Sequence, residues 1–201
     1  ILKGYFQSQF ITSTSDQQRD AIIDFGIDKK KTTIVKTGVN VEEINNLVIE
    51  DHIPSQLLKE KFIFSPRFIR PVYNLEYQIE AIQLLPKRIL NEYLFVFVKG
   101  TLVTKEYFHL IMTQLNEVDQ LRFIVFEKPL SQNEIWAITK KAELVFMMPK
   151  SDGTPNTALE AMSAKSKLIM PNLNYNSELF KDVCLIADLK SPSSLTKKIV
   201  Q

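Results

Sequence analysis

The sequence predicts an α/β fold, a mostly parallel sheet with helices on both faces. Three observations carry this expectation. Short apolar, β-favouring runs alternate with helix-period segments from end to end, the pattern of successive βαβ units. The run Ala142-Glu143-Leu144-Val145-Phe146-Met147-Met148-Pro149 reads as a buried strand. The chain has 201 residues and is 45% hydrophobic, enough for a substantial core.

Taken in order, Phe10–Thr14 is a predicted strand, and Ser15-Asp16-Gln17-Gln18 is a capping box opening a helix that ends near Gly26. Thr33–Lys36 is the next strand, followed by Thr37-Gly38-Val39-Asn40 and a short helix. Polar residues and Pro54 interrupt the pattern over Ile49–Ser55, which reads as a surface loop. Lys61–Ser65 is a strand, Asn74–Leu85 a helix, Tyr93–Val98 a strand and Thr104–Leu115 a helix. Leu121–Phe126 is a strand, and Ser131-Gln132-Asn133-Glu134 is a second capping box, before a helix through Lys141. Then come strand Leu144–Met148, helix Pro155–Ala164, strand Lys167–Met170, a helical turn near Ser177–Phe180, strand Val183–Ala187 and a helix from Pro192.

Composition excludes several function classes. The net charge is only +2, and the lysines fall in short groups (Lys29-Lys30-Lys31, Lys140-Lys141, Lys197-Lys198) that read as solvated faces. The 13 Phe lie mainly in apolar runs that look like core, so no nucleic-acid surface is expected. Cys184 is alone and reads as a small core residue, in keeping with a reducing compartment. His52 and His109 lack partners at ligand spacing, so no metal site is expected. No apolar run approaches the ~18 residues of a membrane span, and no signal peptide is expected. With five Gly there is no Gly-x-Gly-x-x-Gly fingerprint, which argues against an ordinary dinucleotide site.

The most informative stretch is Ser151–Met162, in which Asp152 and Glu160 bracket a Gly153-Thr154-Pro155 turn that leads into a helix. Thr154 suits the N-cap and Pro155 the first helical position, so free N–H groups should emerge around Asn156 and Thr157. A phosphate or diphosphate fits such an end. Glu160 lies on the same helix with its side chain tilted back toward that end, so its carboxylate can accept from sugar hydroxyls. The preceding strand puts the turn at a strand's carboxyl end, where open α/β sheets bind ligands.

These residues resemble a known family. Asp152 through Met162 is similar to the acidic-x7-Glu motif of the retaining, nucleotide-sugar-dependent glycosyltransferases of family 4, which have the two-domain GT-B fold. Ile11–Ser15 and Ile34–Asn40 resemble the entry to the carboxyl-terminal domain of that family, and Phe64-Ser65-Pro66-Arg67 with Tyr73–Glu76 resembles its phosphate-holding strand, loop and helix. Lys167–Pro171 and Glu178 match the family's segment after the motif. The resemblance covers nearly the whole chain. It implies a Rossmann-like donor-nucleotide-binding domain over residues 32–201, with residues 1–31 as the end of an amino-terminal domain and a linker. The chain begins at Ile1 without an initiator Met, and is expected to be a piece of a longer enzyme whose acceptor-binding domain lies outside it.

The resemblance also implies roles. Glu160 matches the carboxylate on the nucleotide ribose, and Asp152 stands where a Glu usually contacts the transferred sugar. Gly153, Thr154, Pro155, Asn156 and Thr157 match the segment beside the diphosphate, and Arg67 the guanidinium that neutralises it without a metal. Val72 replaces a usual Lys, with Arg70 as the nearest substitute, and Pro66 replaces a common Gly. The nucleobase is expected near Phe126, Glu127 and Lys128, although an aromatic such as Phe126 at a strand end is more often core.

The implied activity is transfer of a sugar from a UDP- or GDP-linked donor to a glycan or lipid-linked acceptor, in cell-surface polysaccharide synthesis. The setting is cytoplasmic, on the inner face of the membrane with peripheral association of the full-length protein, and the piece alone is expected to be inactive. The rival expectations are a nucleotide-sugar epimerase of the same fold, which would need acid/base residues in the cleft, and a non-catalytic degenerate glycosyltransferase module.

Overall fold

The computed structural model describes residues 2–173, 180 and 182–201, without the side chains of Leu2 and Lys3. The chain opens with α1 (Leu2–Gln7), β1 (Ile11–Ser13), α2 (Asp16–Asp24), β2 (Thr32–Ile34) and α3 (Val41–Asn46). Strands β1 and β2 pair in parallel as a small sheet of their own. Next come β3 (Phe62–Phe68), α4 (Leu75–Gln83), α5 (Lys87–Glu92), β4 (Leu94–Val98), α6 (Lys105–Glu117) and β5 (Phe123–Phe126). The last part holds α7 (Gln132–Lys141), β6 (Leu144–Phe146), α8 (Asn156–Ser163), β7 (Leu168–Pro171), β8 (Leu185–Ala187) and α9 (Pro192–Val200).

The main sheet has six parallel strands in the order β5-β4-β3-β6-β7-β8. The order runs outward in one direction from β3 and then restarts on its other side with β6. Such a reversal leaves a crevice at the carboxyl ends of the two central strands, because the connections from them leave to opposite faces.

The period-two alternation of the strands divides the core into two layers. Ile63, Phe95, Phe97, Leu144, Phe146 and Ile169 face one side, where they pack with Leu75, Ile79 and Ile82 of α4, Ile111 of α6 and Leu195 of α9. Phe62, Phe64, Val96, Val145, Met147 and Met170 face the other, with Ala137 and Ile138 of α7 and Ala158 and Ala161 of α8. Both faces are therefore covered, and the strand sequences are continuously apolar for that reason.

Several expectations are corrected. Helix α5 lies in a stretch read only as a connection. Ile49–Ser55 is not simply surface: two 3-10 turns flank Ile53, and both Ile53 and Leu57 are buried. Lys140 is not a solvated position, since its Nζ donates to the carbonyls of Ile44, Asn45 and Leu47 at 2.9, 3.0 and 3.0 Å and so caps the end of α3. In α7 the capping box is complete, with both Ser131 and Glu134 contributing. In α2 the Ser15 hydroxyl accepts from Gln18 N, while the Gln18 side chain returns to Thr14 N and Oγ1 at 3.1 and 2.7 Å. Glu178 and most of the expected Ser177–Phe180 turn lie outside the described residues.

Candidate functional site

Arg67 and the Asp152 loop meet at the crevice, and local sequence explains how. Pro66 has no N–H for a sheet ladder, and β3 loses register there: Ser65 is opposite Phe97, but Phe68 is opposite Val98. The extra residues Pro66 and Arg67 form a bulge, a device that re-aims a side chain at a strand end. Arg67 thereby reaches the loop after β6. Its Nη2 donates to Asp152 Oδ2 at 2.8 Å and its Nη1 to Thr157 Oγ1 at 2.9 Å. Its guanidinium stacks over Tyr73 with the carbon 4.1 Å from the ring centroid. Among the described residues, the Arg67 Nε is buried without a partner.

Tyr73 is held in turn by a buried polar chain. Ser65 Oγ donates to Gln78 Oε1 at 2.8 Å, and Gln78 Nε2 donates to the Tyr73 carbonyl at 2.8 Å. Asn74 supports the turn at φ 59°, in the left-handed region that Asn tolerates, and α4 starts there. Ser65 and Tyr73 fall in the segment that resembles a phosphate-holding loop, but the sequence reading missed Gln78, which links them. The available signal was Gln78, a polar residue on the Leu75–Ile79–Ile82 face of a helix otherwise apolar there.

The helix start differs from expectation by one position. Pro155, not Thr154, occupies the N-cap of α8, so no side chain caps the helix. The Thr154 hydroxyl instead donates to the Thr14 carbonyl at 3.3 Å. A Cβ on Gly153 would come within 2.3 Å of Gln18 Nε2, so β1 and α2 press directly on the loop. Asp152 Oδ1 accepts from Gly153 N at 2.8 Å. Among the described residues, the amides of Asn156 and Thr157 have no protein acceptor, as expected for a helix end open to an anion.

Glu160 lies on α8 against α7. Its Oε1 accepts from Gln132 Nε2 at 3.1 Å. Burial pushes its pKa above the usual carboxylate value, opposed by the nearby Trp136 indole and by the charge of Arg67. The indole nitrogen lies beside the carboxylate but, among the described residues, is buried without a partner at hydrogen-bond geometry. Trp136 and Gln132 were not expected at the site.

Two expected residues stand apart from this cluster. Arg70 is turned to the β4 side, where Nη2 and Nε both donate to the Thr101 carbonyl at 2.9 and 3.3 Å. Phe126 ends β5 at the sheet edge, half-buried against the core layer that holds Phe62, Phe64 and Val96. Where the resembled family has Lys, the Val72 carbonyl accepts from Lys150 N at 2.8 Å. A hollow of about 730 Å³ lies elsewhere, lined by residues that include Ile63, Glu143, Leu144 and Lys198 and none of the expected site residues. Among the described residues, no three His, Cys, Asp or Glu side chains gather as a metal site, and no helix is long and apolar enough to cross a membrane.

A six-stranded parallel sheet that reverses at its centre and is flanked by helices on both faces has the architecture of a GT-B glycosyltransferase domain. The chain belongs to the family described as glycosyl transferases group 1, whose model matches residues 27–201. Among solved structures it is similar to an α,α-trehalose-phosphate synthase (UDP-forming) from Burkholderia vietnamiensis, with TM-score 0.80 and 11% identity over 96% of this chain and 51% of that one. It is also similar to Anabaena Alr3699/HepE in complex with UDP-glucose, with TM-score 0.73 and 13% identity over 96% of this chain and 53% of that one. A glycosyltransferase from Rickettsia africae matches with TM-score 0.75 and 13% identity over 98% of this chain and 55% of that one. At such identities the likeness is one of fold, and the chain spans about half the length of these structures. No curated protein matches the sequence.

Proposed function

We propose that this chain is the donor-binding half of a retaining family 4 glycosyltransferase, which moves a sugar from a UDP- or GDP-linked donor to a glycan or lipid-linked acceptor. The observation that carries the reading is the convergence at one crevice of Arg67, Asp152, the free amides of Asn156 and Thr157, and Glu160. A departing nucleoside diphosphate gains negative charge, and a preorganised guanidinium with helix amides stabilises that charge. Glu160 takes the ribose hydroxyls and Asp152 the transferred sugar. Arg67 supplies the positive charge, so no resident metal is required. The UDP-glucose of the Anabaena structure supports a nucleotide sugar as the donor class. Cell-surface polysaccharide synthesis at the cytoplasmic side of a membrane is the setting we assign.

The acceptor belongs to the other half of the cleft, in a longer protein. Calorimetric titration of this chain with UDP and GDP tests the donor site, with binding of one expected. Absence of binding by both would remove the reading. A transfer assay on the two-domain protein then separates an enzyme from a binding module.

A further inference from the structure

Glu160 does not stand alone on its helix. Gln132 and Trp136 lie four residues apart on α7, hence on one face of that helix, and this face packs against α8. Gln132 is exposed and free to point into water, yet its amide donates to Glu160 Oε1 at 3.1 Å. Trp136 is 7% exposed. An indole that only fills a core normally finds a partner for its N–H when buried. Among the described residues the N–H of Trp136 has none, and it lies beside the Glu160 carboxylate.

We infer that Gln132 and Trp136 are positioning residues that hold the Glu160 carboxylate for a ribose diol, so that the site prefers a ribonucleoside diphosphate to its 2′-deoxy counterpart. The inference rests on the nucleotide reading above. Gln132 restrains one carboxylate oxygen from the solvent side. The indole N–H is a donor in reserve: a small rotation of the carboxylate toward a bound diol completes its hydrogen bond. A carboxylate held by one donor and facing a second has few orientations left, and a diol meets it with little reorganisation.

The test uses this chain with UDP and 2′-deoxy-UDP, and with GDP and 2′-deoxy-GDP, in calorimetric titrations. Trp136→Phe removes the N–H while keeping an aromatic filler, and Gln132→Met removes the amide at an exposed position. Together they should narrow the ribo-over-deoxy preference by about tenfold, the worth of one charged hydrogen bond. Affinity for inorganic pyrophosphate, which meets Arg67 and the α8 amides, should stay at the wild-type value. Folded variants that keep the wild-type preference would overturn the inference and leave the nucleotide reading standing. If the wild-type chain binds neither nucleotide pair, the nucleotide reading falls and this one with it. A ligand-free measurement checks the contact itself. Trp136 is the sole tryptophan, so Glu160→Gln should shift the emission of the free chain. Unchanged emission would overturn the contact.

Discussion

Arg67 Nη2 lies 2.8 Å from Asp152 Oδ2, an ion pair that ties the end of β3 to the loop after β6 across the reversal of the sheet. The two side chains are 15% and 17% exposed, so the pair is only weakly screened by solvent. A diphosphate entering the crevice meets a guanidinium already held by Asp152, Thr157 and Tyr73.

Arg67→Lys keeps the charge but loses the fork that reaches two partners at once. We expect nucleoside diphosphate affinity to fall by about tenfold or more, the worth of one charge-assisted hydrogen bond. Arg67→Ala should also lower the melting temperature, because Asp152 is left part-buried without its cation. Titration and thermal melts of both variants check this, and wild-type affinity in Arg67→Lys would deny Arg67 a role at the phosphates.

Nucleotide affinity should depend on the charge of Glu160. Its folded pKa is raised by burial, so the contribution it makes to the free fold is present below the unfolded value and is lost as pH rises through the folded one. Ribose hydroxyls donate to the carboxylate, so binding favours the ionised form. Affinity should therefore weaken on acidification at a pH above the ordinary Glu range. Glu160→Gln should flatten that profile, and titrations across pH read it directly.

Two glycines separate backbone need from loop contact. Gly100 sits at φ +71°, and a Cβ there would meet the Phe68 ring at 2.1 Å. The Cβ of Gly153→Ala would meet side-chain atoms alone, the Thr14 hydroxyl at 3.1 Å and the end of Gln18, which can swing away by giving up its bonds to Thr14. Gly100→Ala should cost about 2 kcal/mol or more, and Gly153→Ala about 1 kcal/mol. Denaturant unfolding of the two variants should rank them in that order.

Chelation should leave nucleotide binding intact, since Arg67 provides the charge that a divalent ion would otherwise bring. Titrations with and without EDTA decide this. Collapse of binding that Mg²⁺ or Mn²⁺ restores would reassign Arg67.

Transfer should require the longer protein. Donor and acceptor must be held in contact with water excluded, and positioning of that kind supplies several kcal/mol of barrier reduction. The two-domain enzyme should lose most of its activity on Asp152→Ala, whereas this chain alone should show no transfer. Turnover by residues 1–201 would place the acceptor site within them.

Much of this arrangement was legible in the sequence because its signals are local. Continuous apolar strands, the Ser131 capping box and the strand-turn-helix around Asp152 each declare themselves within a dozen residues. Helix α5 was missed because Lys87–Glu92 is six residues long and shows barely one apolar turn. The Thr154 cap was misplaced because its hydroxyl finds the Thr14 carbonyl, 140 residues away in sequence. Lys140 and Arg70 likewise answer to distant carbonyls. No local pattern announces such contacts. The partners of Glu160 are long-range as well, and only the fold brings α7 beside it.

The bulge at Pro66 sets a phase. In an unbroken strand Arg67 would share the face of Ser65, two residues earlier, and point under α4 into an apolar layer where a guanidinium cannot stay. Two extra residues turn it out to the rim instead. Deleting Pro66 would therefore do more than shorten a loop: it would shift Arg67 along β3 and take its guanidinium away from Asp152 and Thr157. Length between Ser65 and Asn74 is consequently as strict a requirement as the identity of the arginine, and insertions tolerated elsewhere on the surface should silence the crevice here.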